Sequence, residues 1–322
     1  MQLGVGCARS LGLVVLALAG CGGGGSDSAQ LPGPVEPQPV VPTAFDLDQA
    51  VLLAGRVGNL WGLAQTVSAF SERLVENYTL GGSYESRGDC ALSGSITNSY
   101  RDMDGNWKLS AGDSLGMVGN ACQELDDSRL AVTTTGSVFA TVKQVEGIIF
   151  YGSDDRWLMS SRQTYQDLAM KYPSYGFRWN GSVEVRDNSV RSVVKFDDLI
   201  QQSVTTQTSV IHAISGELTR EYGSYRDRTI KALLLKELAL RTNLNGTTEA
   251  TATIPGESRI EMDPTGTVPA SGEIKVKVGN GAVNIAVIGV DQVRVELDLQ
   301  GDGSIEASRT LSWTALVGNA VL

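Results

Sequence analysis

The sequence predicts a mainly β fold: a curved antiparallel meander sheet or open half-barrel, with one N-terminal helix packed against it. Three observations carry this. Apolar residues recur every three or four positions over about residues 48–77. Beyond Thr79 the period falls to two. A short glycine motif then returns at the spacing of long hairpins.

The chain opens MQLGVGCARSLGLVVLALAGC. Arg9 is the only charge before an apolar run from Leu11 to Leu18. That run is too short to span a bilayer and has the length of a signal-peptide core. Leu18-Ala19-Gly20-Cys21 resembles the lipobox of bacterial lipoproteins. The resemblance implies cleavage after residue 20 and a lipid on the Cys21 thiol. Several acyl chains anchor firmly where one holds only marginally. Gly22 stands where an inner-membrane retention signal would have Asp, so the resemblance points to the outer membrane, with the chain on its periplasmic face or at the cell surface. Residues 21–44 form a tether carrying five of the nine prolines: Pro32, Pro34, Pro37, Pro39 and Pro42. Its glycines are flexible and its proline part extends at about 3 Å per residue.

Residues 45–322 are expected to form a single β-rich domain. Its helix starts with capping-box spacing between Asp46 and Gln49. Leu53, Val57, Leu60, Ala64, Val67 and Leu74 then line one face, with a gap at Ser71. Gly55, Gly58 and Gly62 each weaken an exposed helix by up to about 1 kcal/mol, so this one needs a sheet to lie on.

In CALSGSITNSY, Cys90, Leu92, Ile96 and Tyr100 alternate with Ala91, Ser93, Ser95, Thr97 and Ser99. That is the pattern of a half-buried antiparallel strand. EIKVKVGNG places Ile274, Val276 and Val278 inward, and VRVEL does the same with Val293, Val295 and Leu297. Gly-Ser/Glu-aliphatic recurs at Gly94, Gly136, Gly181, Gly216 and Gly272. Gln166-Asp-Leu, Asp197-Asp-Leu and Lys236-Glu-Leu form a second echo. The spacing is too irregular for a solenoid. It suggests hairpins that each start at a similar bend, where Gly relieves crowding. Chance recurrence of so short a motif is the competing account. The architecture resembles that of half-barrel lipoprotein carriers, an analogy of shape and not of sequence.

Cys7 leaves with the signal and Cys21 takes the lipid, which leaves Cys90 and Cys122. In an oxidising compartment these two most simply pair. Closing 31 intervening residues stabilises by about 3–4 kcal/mol in the chain-entropy model. Leu115, Met117 and Ala121 alternate on the face opposite Cys122, so a bulge is needed to bring Cys122 to Cys90.

DMDGNWKLSAGD lies between those cysteines. Asp102, Asp104 and Asn106 take the first, third and fifth places of a calcium loop, and the Lys108 carbonyl the seventh. Ser110 is ninth and Asp113 twelfth, where Glu is usual. Trp107 occupies the sixth place, which normally holds Gly. The flanks are strand-like, so a helix–loop–helix is excluded and the alternative is a polar hairpin tip. A second acidic loop runs DLQGDGSIE. Asp298, Gln300, Asp302 and Glu306 fall at the first, third, fifth and ninth places, but Arg309 takes the twelfth. The only candidate cofactor is therefore a structural Ca2+.

CALSGSITNSYRDMDGNWKLSAGD with Cys122, and VPASGEIKV with DLQGDGSIEASRTLSW, resemble an uncharacterised group of Gram-negative outer-membrane lipoproteins. The resemblance covers about a third of the chain. It implies a location and a fold, and no activity.

Without residues 1–20 the chain carries 36 acids against 25 bases, a net charge of −11. Such acidity argues against nucleic acid or an anionic membrane surface as a partner. No nucleophile elbow, Walker loop or dinucleotide fingerprint is present. The sole histidine, His212, sits in an alternating stretch that points to a structural role. A carboxylate-dependent hydrolase is the remaining enzymatic alternative. The leading expectation is a non-catalytic, lipid-anchored envelope protein that binds a hydrophobic ligand or an envelope partner. A calcium-stabilised structural or adhesive surface domain is the alternative.

Overall fold

The computed structural model describes residues 45–76, 82–125, 129–146, 158–188, 190–205, 209–223, 229–244 and 248–318. The signal-like segment, Cys21 and the tether lie outside them. Helix α1 spans Leu47–Glu76, within a residue of the expected limits at both ends. Its start is the capping box read in the sequence. The Gln49 N–H donates to Asp46 Oδ1 at 2.8 Å, and the Asp46 N–H donates to Gln49 Oε1 at 3.2 Å.

The expected stripe of α1 is buried at Leu53, Val57, Leu60, Ala64 and Val67; the Leu74 side chain lies outside the described residues. Burial is not confined to that face. Ala50, Val51, Ala54, Gly55, Arg56 and Gly58 are buried as well. Asp48, Gly62 and Gln65 remain exposed, but burial this wide requires a surface that curves around the helix.

Among the described residues fourteen antiparallel strands supply that surface, each hydrogen-bonded to its sequence neighbours in one sheet. They are β1 Tyr84–Asp89, β2 Ser93–Arg101, β3 Ser114–Leu125, β4 Ala131–Glu146, β5 Leu158–Lys171, β6 Tyr175–Asp187 and β7 Arg191–Thr205. Then follow β8 Ser209–Tyr222, β9 Ile230–Leu244, β10 Thr248–Met262, β11 Pro269–Val278, β12 Gly281–Gly289, β13 Gln292–Asp298 and β14 Ala307–Ser312. The sheet is an open meander, and among the described residues no ladder joins β14 to β1. Helix α1 touches strands from β3 to β14 across the inner face. β11 and β13 alternate as read: Ile274, Val276, Val278, Val293, Val295 and Leu297 are buried, and Lys275, Lys277 and Arg294 are exposed.

The glycine motif marks a bend, but not where hairpins start. Gly94, Gly136, Gly181, Gly216 and Gly272 lie within strands, and all five have φ between +75° and +122°. Four of them face a left-handed residue on the next strand. Gly94 meets Ala121 (φ 48°), Gly136 meets Asp167 (φ 49°), Gly181 meets Asp198 (φ 51°) and Gly216 meets Glu237 (φ 47°). The last three are the central residues of the second echo. Register shifts accompany each pair, so a line of paired bulges crosses β2 to β9. Bulges bend a strand and increase its twist. Repeated in register, they fold the sheet around α1.

One of these bulges corrects the reading of β2. Cys90 lies in the turn before the strand, Leu92 is 51% exposed and Ser95 only 2%. The left-handed Gly94 shifts the inside–outside phase, which simple alternation does not anticipate. On β3, the Ala121 bulge turns Cys122 inward, with a register shift between Gly119 and Cys122. Cys90 and Cys122 are disulfide-bonded, with Cα atoms 5.4 Å apart.

A short C-terminal helix that sequence periodicity did not predict, α2 (Trp313–Gly318), closes over α1. Trp313 and Val317 pack on Gly58, where a Cβ would sit 3.0 Å from each side chain. Asn59 Nδ2 donates to the Val317 carbonyl at 2.8 Å. Glycine in α1 is thus a seat for α2.

Candidate functional site

Three places collect chemistry: the Asp102–Asp113 loop, the second acidic loop, and the polar row beneath α1.

The first loop joins β2 to β3. Asp113 is fully buried. Its Oδ2 accepts from the Tyr100 hydroxyl at 2.9 Å, the Ser110 N–H at 2.8 Å and the Ser110 hydroxyl at 3.2 Å; its Oδ1 accepts from the Met103 N–H at 2.9 Å. Asp102 accepts from the N–H groups of Gly105 and Trp107. Asp104 takes the Asn106 N–H, the Asn106 side-chain amide and the Ser110 hydroxyl. The Asn106 carbonyl oxygen accepts from the Lys108 N–H at 2.7 Å, and the Lys108 carbonyl lies 3.3 Å from the Tyr100 hydroxyl.

This network draws the Asp102, Asp104 and Asp113 carboxylates together, each offering an oxygen within 4.8 Å of the others. No ion pair to any of the three occurs among the described residues. Trp107, in the sixth place, has φ 64°. It adopts the left-handed conformation that glycine supplies there in a calcium loop. The hairpin-tip account also has support, since Asx turns account for the bonds from the Asn106 and Lys108 N–H groups. Sequence reasoning missed Tyr100 as the residue that fixes Asp113; its inward position thirteen residues upstream is the available signal.

The second loop does not converge. Asp298 accepts from the Gly301 and Gly303 N–H groups, Asp302 from the Ser304 N–H, and Glu306 from the Leu299 N–H at 2.8 Å. Burial works against ionisation of Asp298, yet backbone N–H groups from Gly303, Gly301, Asp302 and Gln300 prevail and hold its carboxyl below the usual range. The loop is built as a turn between β13 and β14.

The third place is inside the sheet. Leu168, Trp179, Gln201, His212 and Thr242 occupy consecutive positions across β5 to β9, all buried. Arg56 of α1 stands over the end of this row, 3% exposed. Its Nη1 donates to Thr242 Oγ1 at 2.8 Å and to the Asn243 carbonyl. Arg56 Nε and both ring nitrogens of His212 find no partner among the described residues. Burial lowers the Arg56 pKa to about 10. Burial first, and the Arg56 charge second, lower that of His212 to about 3. His212 is therefore buried as expected, but its hydrogen bonds are unsatisfied. The clue to this place was Arg56 itself, the lone charge between Asp48 and Glu72.

Voids are few. The apolar void under α1, between Val57, Trp61, Leu235, Ile274 and Trp313, measures about 10 Å3. A polar groove of about 470 Å3 lies on the outer face by Lys143, Arg186 and Arg191, and its Arg186 is paired with Glu184 at 2.8 Å. No described helix is long and apolar enough to cross a membrane. Comparison of the chain with protein-family profiles, with curated proteins and with solved structures finds no match.

Proposed function

We propose that this is a non-catalytic, lipid-anchored envelope protein, held at the outer membrane through Cys21, whose curved sheet binds a hydrophobic ligand between its inner face and α1. The observation that carries the reading is the burial of α1 well beyond its one apolar stripe. The sheet's inner face carries one connected apolar cluster, from Val138 and Leu168 through Leu199, Ile214 and Leu240 to Val276, Val283 and Val295, with the polar row of Gln201, His212 and Thr242 set into it. One long helix covers it, and that helix contains three glycines and a buried cation with no carboxylate partner among the described residues. Each of these weakens its hold relative to an alanine- and leucine-rich helix. The apolar void under α1, about 10 Å3, is too small for a ligand, so an apolar molecule enters by lifting α1 away from the sheet while the helix stays over it.

Native mass spectrometry of protein purified from membranes tests this. A co-purifying lipid-sized adduct, together with faster hydrogen exchange of α1 amides than in delipidated protein, is the expected result. A ligand-free monomer with slow α1 exchange in every preparation sinks it.

The convergence of Asp102, Asp104 and Asp113 favours a second reading, a surface domain stabilised by calcium. Three carboxylates within 4.8 Å repel one another, and a divalent cation relieves that repulsion. Under this reading the melting temperature rises with calcium and falls with chelator. Identical curves remove the metal and leave a hydrogen-bonded hairpin tip.

A further inference from the structure

From the arrangement of Arg56, Gln201, His212 and Thr242 we infer the head-group end of the ligand site, suited to the anionic group of a single-chain acidic amphiphile such as a fatty acid or an alkyl phosphate. The inference rests on the trough reading above and adds the ligand's chemical class.

Antiparallel neighbours in register have Cα atoms about 4.5–5.5 Å apart, so Gln201, His212 and Thr242 stand side by side on the inner face. Arg56 reaches Thr242 from above. The cation has no carboxylate partner among the described residues, and its Nε–H is unmet. Neutral His212 carries one ring N–H, which is unmet too. Gln201 Oε1 also lacks a donor, while its Nε2 donates to Ser203 Oγ at 3.4 Å; exchanging the two ends of the amide would leave a second unmet donor in the row. Unmet N–H donors beside an uncompensated positive charge are what an oxyanion satisfies, and charge-assisted bonds of this kind are among the stronger ones.

The flanking positions supply the other half of the ligand. The neighbouring inner row is Leu199, Ile214, Leu240 and Ala252, and Val210 and Leu244 lie two residues along their own strands on the other side. A charged group held beside a mainly aliphatic lining, in which Ser203 next to Val210 is the polar exception, matches a molecule with one acidic end and one long apolar tail. A buried polar group left unpaired costs stability, so its retention here calls for a partner.

The test is native mass spectrometry of the full delipidated chain in detergent, incubated with equal amounts of palmitic acid, hexadecyl phosphate and hexadecanol. The chains match in length, and only the head groups differ. We expect at least one of the two acids to be retained about 10-fold or more over the alcohol, the gain expected from charge-assisted hydrogen bonds. The preferred acid distinguishes carboxylate from phosphate as the natural head group. Arg56→Gln and, separately, His212→Leu should each reduce that preference towards parity. The wild-type comparison needs no variant, so a misfolded Arg56→Gln leaves the result decisive. Equal retention of acids and alcohol overturns the head-group assignment and leaves the trough reading standing. A preference unchanged in both folded variants also overturns the assignment. Retention of none of the three overturns both.

Discussion

Gly216 and Glu237 face each other across the β8–β9 ladder, and both hold a left-handed backbone, at φ 113° and 47°. A Cβ on Gly216 would lie 2.5 Å from Leu238 Cα and 2.6 Å from the Glu237 carbonyl oxygen. Gly216→Ala should therefore cost about 1–3 kcal/mol, read as a lower denaturation midpoint. Glu237→Gly should be neutral or stabilising by up to about 1 kcal/mol, because glycine adopts that φ without strain. The opposite ordering would remove the bulge pair as the cause of the bend.

Loss of the Cys90–Cys122 bond should lower stability by about 3–4 kcal/mol in the loop-entropy account. Cys90→Ser with Cys122→Ser, compared with wild type with and without reductant, measures it. The reductant should shift wild type alone.

Asp113 accepts four hydrogen bonds while fully buried. Asp113→Ala removes the nearer acceptor of the Tyr100 hydroxyl and the acceptor of two backbone N–H groups, and should cost about 2–4 kcal/mol. Chemical denaturation measures the loss. Asp302→Ala, in the second loop, should stay within about 1 kcal/mol.

His212 sets a pH dependence. Its pKa is about 3 folded against 6.5 unfolded. A base with a depressed folded pKa contributes its full stability above pH 6.5. The unfolded chain gains a proton first as pH falls, so stability declines between pH 6.5 and 3 by about 1.4 kcal/mol per unit. In His212→Leu this share of the decline should vanish, so the difference between the two stability-against-pH curves isolates it. Parallel curves would place another group behind the decline.

Several features were legible because they depend on near neighbours. Asp46 and Gln49 are three residues apart, and their capping box formed as read. Ile274 to Val278 and Val293 to Leu297 alternate without interruption, and their burial follows. The Cys122 bulge was legible as a conflict of phase, and Ala121 resolves it. The glycine repeat was visible, but its meaning was not, because each glycine meets its partner only across a ladder. The same holds for Arg56 and His212, 156 positions apart in sequence. No periodicity relates them until the sheet closes over α1.

Sequence alone determined the strand and helix periods, the cap of α1, the pairing of Cys90 with Cys122 and the spacing of carboxylates in the Asp102–Asp113 loop. These follow from local geometry and from the small number of available partners. Tertiary structure alone decided that α1 is wrapped rather than laid on a face, that α2 seats on Gly58, and that the Asp298 loop does not converge. It also decided that a cation and an imidazole share one buried row. Curvature is the physical reason. A line of bulges running across eight strands bends the sheet, and that bend sets which distant side chains meet.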